Sequence, residues 1–270
     1  MSSSRPVDLG PTPVVAGAAP TDRPERLVFV HGLIGSFCDP GVFGRLAPSV
    51  CSAPDLAGYG SRATEDVTFE GQIDALRQHV TDVADGEPVH LVAHSIGAVY
   101  AFTFADLFPQ SVSSLTSVEG NFSLADAFWS RSIAALDPDD ARDRIRAILA
   151  DPHALLDGDG IVATPRRVAE AKAALAFQPW TTVWRSAQGI VEATGSPAYE
   201  SLLSRVFSAK PVHLIAGERS APGWHVPPWA RSAARSSTII PDAGHLLMIE
   251  RPTELANVLL ALLPPTEADR

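Results

Sequence analysis

The hydrophobic positions along this chain follow two alternating patterns. Short apolar runs predict strands that are buried on both faces. Longer stretches carry apolar residues at three- and four-residue spacing, which predicts helices with one buried side. The predicted strands are 26–30, 49–53, 88–93, 114–119, 211–216 and 237–240, with an early edge strand over 11–19, and the predicted helices include 42–46, 69–83, 98–108 and 252–263. Strands that alternate with helices in this way favour an α/β fold, with a mostly parallel sheet and helices on both faces.

Between residues 121 and 209 the strand patterns disappear and helical patterns dominate. Asp137-Pro138 and Thr164-Pro165 each open a helix, because proline fits the first turn, where its missing N–H is not needed. A third helix is predicted over 197–207. We therefore predict a sheet-containing core domain made of residues 1–120 and 210–270, interrupted by a helical insertion over 121–209.

The composition limits the classes of protein to consider. A chain of 270 residues, 46% of them hydrophobic, fits one α/β domain with an insertion. The net charge of −10 argues against nucleic acid and anionic membranes, which leaves a small molecule as the expected partner. Cys38 and Cys51 have neither a disulfide framework nor a metal-binding spacing. The start does not resemble a signal peptide, and no run approaches roughly 20 apolar residues, so a cytoplasmic location is expected. The oligomeric state stays open.

Ser95 lies at the junction between the predicted strand 88–93 and the predicted helix 98–108. Ala93 and Gly97 are small, as a sharp turn from strand to helix requires. Such a turn exposes the serine hydroxyl at the end of a sheet and at a helix N-terminus. It matches the nucleophile elbow G-x-S-x-G, with Ala93 in place of the first glycine. An ordinary strand-to-helix loop has the same local pattern, so the interpretation depends on partner residues elsewhere.

Two further segments supply the partners that a serine nucleophile needs. His31-Gly32 follows the first predicted strand, and glycine there lets the backbone come close to a ligand. His245 lies in the loop between the last predicted strand and the closing helix. Its imidazole is suited to take the Ser95 proton and to return it to a leaving group.

On these three motifs the chain resembles the α/β-hydrolase superfamily over about Leu27 to Leu263. The resemblance implies an esterase-like serine hydrolase in which Ser, acid and His follow one another in the chain. It also implies that the backbone N–H groups of Leu33 and Ile96 form the oxyanion hole. His31 is expected to brace the loop that carries Leu33, and proton transfer is its alternative role.

The acid is the point at which the chain departs from the common pattern of the superfamily. The resemblance expects an Asp at a position that is Ser220 here, and the neighbouring Glu218 is one substitute. The preferred candidate is Glu119, at the end of strand 114–119, where some members, including many haloalkane dehalogenases, carry their acid. The stretch from Ser95 to Glu119 has room for one helix and the return strand. A carboxylate there would hold the Nδ1–H tautomer of His245 and stabilise its charged form.

The resemblance also implies that the insertion forms a helical cap, which covers the active site and excludes water. Aromatic residues are frequent there, and all five Trp residues lie outside the predicted strands. Trp129, Phe122 and Trp184 are therefore the predicted walls of a pocket for an apolar or aromatic substrate. Packing between cap and core would account for the same residues.

These features predict a serine hydrolase that cleaves an ester, lactone or thioester through an acyl-enzyme on Ser95, with no metal or organic cofactor. Dehalogenases of this fold use Asp as nucleophile, so a serine favours acyl transfer over alkyl transfer. Two alternatives within the fold are a carbon–carbon bond hydrolase and a biosynthetic tailoring enzyme, such as a cyclase or acyl transferase. A third alternative, of another class, is a non-catalytic small-molecule binding module, which the loss of an Asp at Ser220 would suit.

Overall fold

One parallel sheet organises the molecule, whose computed structural model describes residues 24–263. Within that range six strands lie in the order β2-β1-β3-β4-β5-β6, and every neighbouring pair is parallel. The strands are β1 (Arg26–Val30), β2 (Val50–Ser52), β3 (Val89–His94), β4 (Val112–Val118), β5 (Val212–Gly217) and β6 (Ser236–Ile240). The predicted parallel α/β architecture is confirmed. The predicted edge strand over 11–19 lies outside the described residues.

Helices cover both faces of this sheet. In the described range they are α1 (Pro40–Arg45), α2 (Phe69–Ala84), α3 (Gly97–Leu107), α4 (Phe128–Ala134), α5 (Pro138–Leu149), α6 (Pro152–Gly158), α7 (Pro165–Leu175), α8 (Trp180–Gly195), α9 (Pro197–Ala209), α10 (Pro228–Ala233), α11 (Leu247–Glu250) and α12 (Pro252–Leu262). None of these helices is both long and apolar enough to cross a lipid bilayer.

The alternation of side chains along β1 shows how the two faces are filled. Val28 and Val30 pack into one buried cluster with residues of α2 and α3, whereas Leu27 and Phe29 pack into another with residues of α1 and α12. Successive side chains of a strand point to opposite faces, so a strand buried on both faces reads as a continuous apolar run. This is why the strands could be found from the sequence.

The helical segment between β4 and β5 contains more helices than the sequence pattern predicted. Six helices, α4 to α9, lie there, whereas three were expected. The missed helix α8 begins after Pro179 with no side-chain cap, and α4 likewise has none, so neither has a start signal in the sequence. The segment is attached to the core, because α8 and α9 both contact α3. The division into a core domain and a cap over 121–209 stays a prediction.

Three buried histidines are held in the neutral form. Burial lowers the pKa of His31 to about 4, and burial together with the nearby charges of His90 and Arg235 lowers the pKa of His213 to about 4. Burial, and then the charge of His245, place the pKa of His94 well below its ordinary value. Each of these groups binds a proton more readily in the unfolded chain than in the folded protein.

The free energy of unfolding is expected to fall as the pH is lowered from 7.5 to 5.5. Above about pH 6.5 these histidines are neutral in both the folded and the unfolded chain. Below that pH they bind protons in the unfolded chain, which lowers the free energy of unfolding by up to about 1.4 kcal/mol per pH unit for each histidine. His245, whose pKa is raised, partly offsets the loss. Urea unfolding at several pH values measures the slope. His213→Gln should reduce it, the exposed His153→Gln should not, and a pH-independent stability would contradict this account.

Candidate active site

The nucleophile candidate Ser95 sits on a strained turn between β3 and α3. Its φ of 53° lies in the left-handed region, which side chains other than glycine rarely adopt. The turn is fixed from β4, because the Ser95 N–H donates to the Val118 carbonyl at 3.0 Å. Gly97 follows, and a methyl group there would collide with the carbonyl oxygens of Val30 and His31. The elbow therefore packs directly against the end of β1.

The loop after β1 lies against Ser95, since a Cβ atom on Gly32 would lie 3.2 Å from the Ser95 Cβ atom. Within residues 24–263, the N–H groups of Leu33 and Ile96 donate to no protein acceptor, so both are available to a bound oxygen. The loop is fastened to other parts of the chain. Tyr59 donates its hydroxyl to the Leu33 carbonyl at 3.1 Å, and the Gly35 N–H donates to Gln178 Oε1 at 2.8 Å. These contacts fit the predicted oxyanion hole.

His31 has the bracing position that the sequence predicted. It is 1% exposed, and its Nδ1 lies 2.8 Å from the carbonyl oxygen of Gly32, to which the neutral ring donates. Its ring packs on Tyr59, with centroids 4.4 Å apart. A histidine kept neutral and enclosed in this way supports the loop.

His245 and Glu119 form a direct pair. His245 Nδ1 lies 2.7 Å from Glu119 Oε2, although the two residues are far apart in the chain. The other carboxylate oxygen, Oε1, accepts the Gly217 N–H at 2.7 Å and the Ser220 hydroxyl. Glu119 is 5% exposed, and its φ of 48° turns its side chain at the end of β4. Both carboxylate oxygens of Glu119 therefore accept hydrogen bonds from specific donors, which fix the orientation of the side chain.

Charge around His245 favours its protonated form. Its enclosure by protein atoms lowers the pKa, but the hydrogen bond and the charge of Glu119, together with the charge of Asp159, outweigh this and raise the pKa above 6.5. The ring of His94 lies nearby at a tilt of 44°, with the two ring centroids 4.6 Å apart, and its Nε2 lies 3.0 Å from the His245 carbonyl oxygen. An imidazole with a raised pKa beside a carboxylate is suited to accept a proton near neutral pH.

Glu218 takes no part in this pair. Its side chain is exposed, and its Oε2 accepts the backbone N–H of Asp242 at 3.0 Å. Ser220, at the position where the superfamily commonly has its acid, instead donates its hydroxyl to Glu119. Of the two acids weighed from the sequence, the structure therefore brings only Glu119 to the His245 ring.

A cavity of about 930 Å³ joins these groups. Ser95, His245, Glu119, Leu33 and Ile96 all contribute to its wall. Most of the remaining wall is apolar and comes from the oxyanion loop, the helical segment and the His245 loop, with Phe37, Trp129, Ile148, Leu155, Phe177 and Met248 as examples. Large, mainly apolar cavities with a few convergent polar groups are the usual form of small-molecule sites.

Trp129 lines this cavity as predicted, but the assignment of Phe122 and Trp184 to its wall is wrong. Phe122 is 3% exposed and packs in the core against Phe102, with ring centroids 5.6 Å apart. Trp184 lies on α8 against Trp180, with centroids 6.2 Å apart. Phe177 and Leu155 take their place. Which side of a helix faces the cavity depends on how the helices pack, which the sequence did not show.

Asp159 belongs to the site although it was not among the site residues predicted from the sequence. The carboxylate of Asp159 accepts the backbone N–H groups of His245 and Leu246, at 2.9 and 2.8 Å. No local signal pointed to this contact, because its partners are 86 and 87 residues away. Within the described part of the chain, no group of three or more His, Cys, Asp or Glu side chains is arranged to hold a metal ion.

Comparison with known proteins relates this chain to proteins of one fold. A family model described as the alpha/beta hydrolase family matches residues 27–258. Among curated proteins, the chain is similar to the "Probable lysophospholipase BODYGUARD 1" of Arabidopsis thaliana, with 31% identity over 109 residues. That match covers 36% of this chain and 23% of the relative, so the chain spans about a quarter of the relative's length.

Solved structures resemble the chain over most of its length. A carboxylesterase of the thaumarchaeon Nitrososphaera gargenis has a TM-score of 0.65 at 15% identity, over 90% of this chain and 91% of that chain. The haloalkane dehalogenase DbeA-M1 loop variant from Bradyrhizobium elkanii has a TM-score of 0.65 at 20% identity, over 90% of this chain and 89% of that chain. Identities at this level show a shared fold.

Proposed function

The chain belongs to the alpha/beta hydrolase family, and from its site we propose that it is a serine hydrolase acting on an ester, lactone or thioester. The observation that carries the proposal is the contact of 2.7 Å between Glu119 Oε2 and His245 Nδ1, in the wall of the cavity that also contains Ser95. A carboxylate at Nδ1 leaves Nε2 as the basic nitrogen, which is what activation of a serine hydroxyl requires.

The proposed reaction proceeds in two halves. Ser95 Oγ forms a bond to the substrate carbonyl carbon while His245 Nε2 takes its proton, and the N–H groups of Leu33 and Ile96 stabilise the oxyanion. The bond to the leaving group then breaks, and the leaving group takes the proton from His245. Water attacks the acyl-enzyme in the same way, which releases the acid and restores Ser95. Each oxyanion donor is worth about 3–4 kcal/mol in such reactions.

The walls of the cavity favour a neutral, apolar or aromatic acyl or alcohol group. Most of the wall is aromatic or aliphatic, with Phe37, Trp129 and Phe177 as examples. The charged residues in it are mainly acidic, as with Asp39, Asp126 and Asp151, which disfavours an anionic group. The serine at position 95 argues against dehalogenation, although some similar structures are dehalogenases. Dehalogenation forms an alkyl ester on the enzyme, which needs a carboxylate nucleophile.

A panel of p-nitrophenyl esters from acetate to octanoate tests the proposal. We expect turnover of these esters, with kcat/KM rising over the first few methylenes, since each buried methylene contributes about 0.8 kcal/mol. A vinylogous diketone in the same panel probes carbon–carbon bond hydrolysis. Cleavage of the diketone with no ester turnover would replace the proposal by that reaction, and stoichiometric binding without turnover would favour a binding module.

A further inference from the structure

The loop that carries His245 is held by a carboxylate from outside the sheet. Asp159 directly follows α6, in the helical segment between β4 and β5. Its Oδ1 accepts the His245 N–H at 2.9 Å, and its Oδ2 accepts the Leu246 N–H at 2.8 Å. Hydrogen bonds to an ionised acceptor are shorter and stronger than those between neutral groups, so the pair of bonds fixes this piece of backbone.

The loop is shaped to receive this carboxylate. A Cβ atom on Gly244 would lie only 2.7 Å from both Asp159 carboxylate oxygens, so a side chain at this position would displace the acid. Glu250 and Arg219 hold further parts of the loop, and Arg219 also donates to the Asp159 carbonyl at 3.0 Å. Glu250 accepts the Gly244 N–H at 2.9 Å, and Arg219 donates to Glu250 at 2.6 Å and to the Asp242 carbonyl at 2.7 Å.

Asp159 carries out none of the proposed chemistry itself, because both of its oxygens point to backbone N–H groups. We propose that Asp159 is a positioning residue, which seats the His245 imidazole against Glu119 and makes that placement depend on α6 being docked. The inference rests on the proposed function. It adds a second role for the helical segment. Besides enclosing the cavity, this segment holds the His245 imidazole in place against Glu119.

Replacing Asp159 by Asn tests this role. The amide has one acceptor oxygen where the carboxylate has two, so one of the two loop bonds is lost together with the charge. Displacements of about 1 Å in catalytic groups can cost about 10²-fold, and we expect Asp159→Asn to lower kcat by about this factor, with KM little changed. Asp157→Asn is the matched control, since Asp157 is exposed on α6 two residues earlier and should behave as wild type.

The pH profile separates positioning from a loss of folded protein. The titratable or charged groups that face His245 and its loop are Glu119, Asp159, His94, Glu250 and Arg219. His245 must be neutral to act as a base, and the negative charge of Asp159 helps to raise its pKa. Asp159→Asn should therefore move the acidic limb of kcat/KM to lower pH, whereas a lower amount of folded enzyme rescales the profile without moving it.

The outcomes are distinct from a failure of the proposed function, which would leave the wild type without turnover. An active wild type with an unchanged kcat and acidic limb in Asp159→Asn would overturn the role of Asp159. If that variant does not fold, Asp159→Glu carries the test, because it keeps the charge but shifts the carboxylate by one methylene. A reduced kcat per Ser95 site, with the sites counted by fluorophosphonate titration and the acidic limb unmoved, supports the proposal, and wild-type kcat contradicts it.

Discussion

Replacing Ser95 by alanine is expected to lower kcat for the preferred ester of the panel by about 10⁶-fold, because the acyl-enzyme route is lost. The N–H groups of Leu33 and Ile96 and the cavity remain in this variant. They leave a residual acceleration of about 10³- to 10⁴-fold over the reaction in water. KM should change little, since the removed hydroxyl is small and its main interaction belongs to the transition state. Steady-state kinetics on wild type and variant at equal concentrations of folded protein measure the change.

The matched control for this variant is Ser201→Ala. Ser201 is exposed on α9, and losing its hydroxyl should leave kcat unchanged. The alanine at position 95 should also leave the fold intact, as judged by the unfolding transition, because it keeps the Cβ atom and removes only a small hydroxyl from the left-handed turn. Turnover within a few-fold of wild type in Ser95→Ala would rule out Ser95 as the nucleophile.

Glu119→Gln is expected to lower kcat by about 10⁴-fold through the tautomer of His245. The Gly217 N–H and the Ser220 hydroxyl both donate to the site of Oε1, so the amide oxygen of glutamine stays there. The amide NH2 then faces His245 Nδ1 and donates to it. That arrangement puts the ring proton on Nε2, which can no longer accept the proton of Ser95.

Glu218→Gln is the control for this prediction, because Glu218 was the competing acid and is exposed. The amide oxygen of glutamine can still accept the Asp242 N–H, so this variant should keep wild-type kcat. The reverse pattern, with a large loss in Glu218→Gln and none in Glu119→Gln, would show that Glu119 is not the acid. Comparable small losses in both variants would contradict an orienting carboxylate altogether.

The sequence predicted those parts of the site that follow strand ends. Ser95 and His31 follow apolar runs within two residues, His245 lies in the loop after the last strand, and the ends of parallel strands meet at one edge of a sheet. Glu119 could be proposed for the same reason, since it ends β4 next to β3. Which of Glu119 and Glu218 pairs with His245 could not be decided from the sequence. Both residues follow strands, and they differ only in the direction of their side chains.

The parts that could not be predicted depend on the packing of the helical segment. Phe122 and Trp184 were chosen for being aromatic, yet both pack against other aromatic rings away from the cavity. Asp159 contacts a loop 86 residues further along the chain, and its neighbours resemble an ordinary acidic turn. Long-range contacts of this kind leave no periodic trace in one sequence. The cavity wall and the contact between Asp159 and the His245 loop therefore lie where sequence patterns are least informative.

The reaction of the wild-type protein with a fluorophosphonate, followed by intact mass and peptide mapping, tests the central claim most directly. The reagent needs an activated serine and an oxyanion hole, and it needs no knowledge of the substrate. We expect rapid addition of one label per chain, located on Ser95 and absent in Ser95→Ala. A folded protein that takes up no label, or takes it up on another serine, would contradict the assignment of Ser95, His245 and Glu119 as a working catalytic triad.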